Sequence, residues 1–97
     1  MVVHIVMFRF KDKNREKNIE IVSKMLNDLL SKVPTLKSME VGQNFTDSDR
    51  AMDLSIITTF DDKDALKAYA IHPEHLKVVE YIREVTSESK VVDYIKE

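Results

Sequence analysis

The chain has 97 residues, 43% apolar and 33% charged, with a single glycine and two prolines, a balance that fits one domain over residues 1–97 and excludes a low-complexity or disordered segment. Seventeen acidic and fifteen basic side chains, interspersed along the sequence, give a formal charge of −2 and leave no electrostatic footprint for nucleic acid. Cysteine is absent, so disulfides, thiolate nucleophiles and sulfur-ligated zinc are excluded, and the expected compartment is cytoplasmic.

The first predicted element is a strand from Val2 to Phe10. It is apolar on both faces, with His4 among Val2, Val6, Phe8 and Phe10 on one, and Val3, Ile5 and Met7 beside Arg9 on the other. The run has no basic leader and is too short to cross a membrane, so neither a targeting signal nor a membrane anchor is expected. After the polar Lys11 to Asn14, Ile19, Val22, Met25, Leu26, Leu29, Leu30 and Val33 recur at helical spacing. They predict an amphipathic helix of roughly five turns ended by Pro34, with a polar side of mixed charge that suits a core-facing helix rather than a membrane-surface one.

Leu36 to Phe45 reads as a second strand in which Gly42 marks a bulge or a close backbone approach; no Gly-rich phosphate loop accompanies it. Thr46 to Ala51 is a polar turn and Met52 to Phe60 a third strand. Asp61 or Asp62 is placed to cap a short helix that carries Ala65, Leu66 and Tyr69. Proline fixes its own φ and disfavours the α conformation in the residue before it, so this helix stops at His72 and another starts at Pro73. His72 is then the N-cap, with Glu74 at the second helical position and His75 at the third. The helix dipole opposes an imidazolium at that third position and favours a neutral ring, which donates from one nitrogen and accepts at the other. Leu76, Val79 and Ile82 form the apolar side of this last helix, and Val91 to Ile95 closes the chain as a strand.

The order β-α-β-β-α-β predicts an α+β, ferredoxin-like fold, a four-stranded antiparallel sheet with its helices on one face. Because the first strand is apolar on both sides, the second sheet face needs a cover. A homodimer built face to face on the sheets supplies it, since most self-association is two-fold and isologous.

Several blocks, in order, resemble the stress-responsive A/B barrel domain family of dimeric α+β barrel proteins. They are His4-Ile5-Val6-Met7-Phe8-Arg9-Phe10, Val33-Pro34 leading to Glu40-Val41-Gly42-Gln43-Asn44, Phe60 with Ala65-Leu66-Lys67-Ala68-Tyr69, His72-Pro73-Glu74-His75, and Val91-Val92-Asp93-Tyr94. The resemblance covers nearly the whole chain and implies two ferredoxin-like sheets paired into a barrel. Many members of the family are stress-induced proteins without an assigned reaction. A plant polyketide cyclase of this fold uses a Tyr and a His from the corresponding Tyr-x-x-His-Pro-x-His stretch, which match Tyr69 and His75 by position. The family's histidine near the start of strand one matches His4 and implies a side chain pointing into a cavity between sheet and helices.

Tyr69 and His75 are therefore the candidate catalytic residues, and His4 and His72 the candidate ligand-binding ones. In the catalytic reading a neutral His75 removes a proton next to a carbonyl while the Tyr69 hydroxyl holds the developing oxyanion, with no cofactor. In the structural reading Tyr69 packs on the sheet and the histidines satisfy backbone groups at a helix junction. A metal site from His4, His72, Glu74 and His75 is set aside, because Pro73 breaks the register that an i, i+3 ligand pair needs and nothing resembles His-Glu-x-x-His. Three functions stand: a homodimer that binds a small apolar molecule, a cofactor-independent cyclase or isomerase of polyketide-type carbonyl substrates, and a purely structural assembly unit.

Overall fold

β-branched and aromatic residues hold β1 (Val2–Phe10) extended, and it is followed by α1 (Arg15–Asp28), a 3-10 turn (Leu29–Ser31), β2 (Ser38–Gln43), β3 (Leu54–Phe60), α2 (Lys63–Ala70), α3 (Pro73–Val85) and β4 (Thr86–Ile95). These elements come from a computed structural model that describes residues 1–97. All neighbouring strands are antiparallel, in the order β2-β3-β1-β4. The strand apolar on both faces thus lies inside the sheet, as its composition requires. The expected ferredoxin-like α+β architecture is present.

Register decides which residues meet. His4 lies opposite Thr58 on one side and Asp93 on the other, and Val6 opposite Ile56 and Val91. One sheet face then presents Val2, Phe8, Phe10, Leu54, Ile56 and Phe60, all buried, against Val22 and Leu26 of α1, Tyr69 of α2, and Val78 and Ile82 of α3. The opposite face carries Val3, Ile5, Met7, Ile57, Val92 and Tyr94, none of which joins that core. Met7, Val92 and Tyr94 on this outer face are 42%, 53% and 46% exposed.

Several boundaries move from their predicted positions. The helix predicted to run on to Val33 begins at Arg15 and tightens into the 3-10 turn after Asp28, which brings Leu29 and Val33 into the core before Pro34. The second strand is shorter than Leu36 to Phe45. Leu36 is buried on the approach to it, whereas Phe45 is 98% exposed in the following loop. The last strand is longer than Val91 to Ile95, because Thr86 to Lys90 also pair with β1. Gly42 sits in regular register opposite Ser55, with no bulge; a Cβ there would lie 3.1 Å from Ser55 Oγ, so the glycine reflects close approach.

The helix junction follows its predicted chemistry. Asp62 caps α2, its carboxylate accepting from the Ala65 N–H at 2.8 Å. His72 is extended, at φ −65° and ψ 134°, and its Nδ1 accepts from the Glu74 N–H at 3.1 Å, while Pro73 opens α3.

Candidate functional site

The Pro73 break turns the chain so that the first turn of α3 stands over the end of α2. His75 Nδ1 comes 3.1 Å from the Ala70 carbonyl oxygen. A carbonyl only accepts, so Nδ1 carries the proton and Nε2 is left with its lone pair. Burial is the main cause that pushes the His75 pKa below its usual 6.5; the Ala70 carbonyl opposes this, and the nearby His4 and His72 add to it. The neutral ring expected from the helix dipole is thus favoured chiefly by desolvation.

Tyr69, at the end of α2, is 1% exposed. Its ring stacks against His75 with centroids 4.2 Å apart and planes at 41°, and against Phe60 at 5.1 Å and 55°. Burial raises the phenol pKa from 10.0 to about 12, so the group stays protonated. The hydroxyl oxygen is buried and makes no hydrogen bond.

His4 projects from β1 to the helix side of the sheet, and its Nδ1 is in close hydrogen-bonded contact with the Asp93 carboxylate of β4. Its backbone carbonyl accepts from Thr58 Oγ1 at 3.0 Å, which ties the same residue to β3. The Asp93 carboxylate fixes the ring orientation, as a carboxylate does for a histidine it hydrogen-bonds.

Between the sheet, α1 and α3 lies a cavity of about 280 Å³. Val6, Phe8, Leu26, Ile56, Val79 and Ile82 give it apolar walls, and both His4 and His75 line it. The structure therefore brings together two of the four candidate residues. Tyr69 lies behind the His75 ring rather than in the lining, and His72 is engaged at the cap of α3. Asp93 carries no local signal of a role in the sequence, since only the β1–β4 register places it opposite His4. No group of three or more His, Cys, Asp or Glu side chains is placed to hold a metal ion, and no helix is long and apolar enough to cross a membrane.

A profile described as the stress responsive A/B barrel domain matches residues 2–96. The chain belongs to the stress responsive A/B barrel domain family. This A/B barrel protein is 25% identical over 95 residues to olivetolic acid cyclase of Cannabis sativa, which spans 96% of this chain and 94% of the cyclase. Its fold is similar to that of a dimeric ferredoxin-like protein from Bacteroides fragilis, at 28% identity and TM-score 0.78 over 96% of this chain and 93% of that one. A second dimeric ferredoxin-like protein, from Thermobifida fusca, is 25% identical with TM-score 0.85 over 96% of this chain and 88% of its own.

Proposed function

We propose that this A/B barrel protein is a homodimer, joined through the outer sheet face, that takes up a small, largely apolar molecule between its sheet and helices. The observation that carries the ligand reading is the cavity of about 280 Å³, apolar along its walls and marked by the imidazoles of His4 and His75. Apolar walls supply non-directional affinity, and the unprotonated Nε2 of His75 supplies an acceptor that orients a ligand hydroxyl. The dimer reading is supported by the exposed apolar side chains of the outer face and by the dimeric state of the two neighbours. A purely structural assembly unit has no use for such a space.

Titration with 2-naphthol, followed by its fluorescence, tests the reading. One saturable site per chain is expected, together with its loss in Val79→Trp, where the larger ring fills the cavity while circular dichroism stays that of the parent. Binding that is absent, or unaltered by Val79→Trp, refutes it.

A second reading is favoured by one observation, the buried and unpartnered Tyr69 hydroxyl against His75. In a cofactor-independent cyclase or isomerase of polyketide-type substrates, His75 Nε2 takes a proton next to a carbonyl and, once substrate binding shifts the His75 ring off Tyr69, the protonated Tyr69 donates to the resulting oxyanion. The relative with 25% identity is a cyclase by name, which supports the same chemistry. In this reading Tyr69→Phe and His75→Ala abolish turnover of a linear polyketide while 2-naphthol still binds Tyr69→Phe; full turnover in either variant rejects it.

A further inference from the structure

The cavity that receives the ligand in the reading above has one permanent charge at its solvent-exposed rim. Arg83, in the last turn of α3, lines it, and no aspartate or glutamate does. Arg9 pairs with Glu88, and Arg15 with Asp12 and Asp53, whereas Arg83, like Arg50 away from the cavity, enters no ion pair. A cation at a helix C-terminus complements the dipole, which accounts for a charge in this turn. Arg83 is exposed, so water solvates its guanidinium, and what singles it out is its place at the rim of the cavity beside the apolar walls of Val79 and Ile82.

The polar groups of the cavity fall at two ends. His75 opens α3 and Arg83 lies eight residues on, which at the helical rise is roughly 12 Å along the axis. The sheet repeats this spacing. His4 is opposite Asp93, and Phe8 is opposite Ser89, so His4 and Ser89 are separated by four strand positions, roughly 13 Å. Ser89 and Arg83 thus mark one end, the two imidazoles mark the other, and Val6, Ile56 and Val79 lie between. Thr86, near the Arg83 end, already donates to the Ile82 carbonyl at 2.7 Å.

We infer that the ligand is an elongated amphipathic monocarboxylate, its carboxylate held by Arg83 and its far end offering a hydroxyl or enol to His75. The planar guanidinium matches a carboxylate with two parallel hydrogen bonds, and a single negative charge answers the one arginine of the lining. The inference rests on the small-molecule reading of the cavity and adds the polarity and orientation of what enters it.

Paired probes test it. 6-Hydroxy-2-naphthoate and its neutral analogue 6-hydroxy-2-naphthamide are titrated by their fluorescence into the parent protein, Arg83→Gln, Arg83→Lys and Val79→Trp. Arg83→Gln is expected to weaken the naphthoate about tenfold and the naphthamide less than about twofold, in keeping with the loss of one charge-assisted contact. Arg83→Lys should restore part of the naphthoate affinity, and added salt should narrow the gap between the two probes in the parent. Equal affinity of the naphthoate for the parent and Arg83→Gln overturns the role of Arg83 and leaves the cavity reading intact. Failure of both probes to bind the parent, or binding that survives Val79→Trp, overturns the cavity reading and this inference with it.

Discussion

Replacing Tyr69 by Phe removes a single oxygen that has neither solvent nor a protein partner. A buried hydroxyl without a hydrogen bond costs about 1–3 kcal/mol in lost hydration. The substitution keeps the ring, and so keeps the contacts with Phe60 at 5.1 Å and His75 at 4.2 Å. Tyr69→Phe should therefore stabilise the fold by about 1 kcal/mol, the low end of that range, because relaxation offsets part of the gain. In a domain near this length that corresponds to a rise in Tm of about 4–8 °C. Urea unfolding at fixed protomer concentration is the assay, read as a higher midpoint with an unchanged slope. A loss of about 1 kcal/mol or more would instead mean that the hydroxyl is satisfied in solution. A destabilising group retained next to a cavity is what a stability–function trade-off produces, and a ligand that hydrogen-bonds to Tyr69 should raise the parent Tm more than that of Tyr69→Phe.

Ile5→Glu places a carboxylate in the middle of the outer face, between Ile57 and Val92, and sedimentation at about 10 μM should show one chain where the parent shows two; a two-chain mass for the variant contradicts dimerisation through this face. Asp62→Ala removes the cap on the Ala65 N–H and should cost about 1 kcal/mol by urea unfolding, with no loss contradicting the cap's contribution. His75 titrates below 6.5 in the folded protein, so as pH falls beneath 6.5 the unfolded chain takes up a proton that the folded one does not. Its contribution to stability is complete above 6.5 and is lost as pH falls from there through the lowered native value. His75→Gln should flatten the stability profile across that window, and an unchanged slope between parent and variant contradicts the shift.

The proline-broken junction was legible because its chemistry is local. Pro73 sets its own φ, Asp62 and His72 each cap within three residues, and no distant contact is needed to fix either helix start. The antiparallel ferredoxin-like sheet and its apolar outer face were legible too, since the strands alternate with helices in the required order and β1 declares both of its faces in its composition. What escaped depended on pairing between distant segments. The polar run Thr86 to Lys90 has no hydrophobic alternation of its own and is held as a strand by β1. Asp93 meets His4 only through the same register, which pairs two residues 89 apart in sequence. Tyr69 and His75 were placed in one neighbourhood by their spacing, and their rings do touch. Whether a side chain lines a cavity or lies beneath its neighbour depends on packing, and here the His75 ring covers Tyr69. Arg83 carries no local signal at all, because a charged residue in the last turn of a helix is ordinary until its surroundings are known.

His75 lines an apolar cavity with its Nε2 unprotonated, because its Nδ1–H is held by the Ala70 carbonyl. Nitrogen-15 NMR of the imidazoles reads protonation state and tautomer directly. At pH 7 a neutral His75 in the Nδ1–H form is expected, with a titration midpoint below 6.5. A His75 imidazolium at that pH, or a neutral ring with the proton on Nε2, would contradict it.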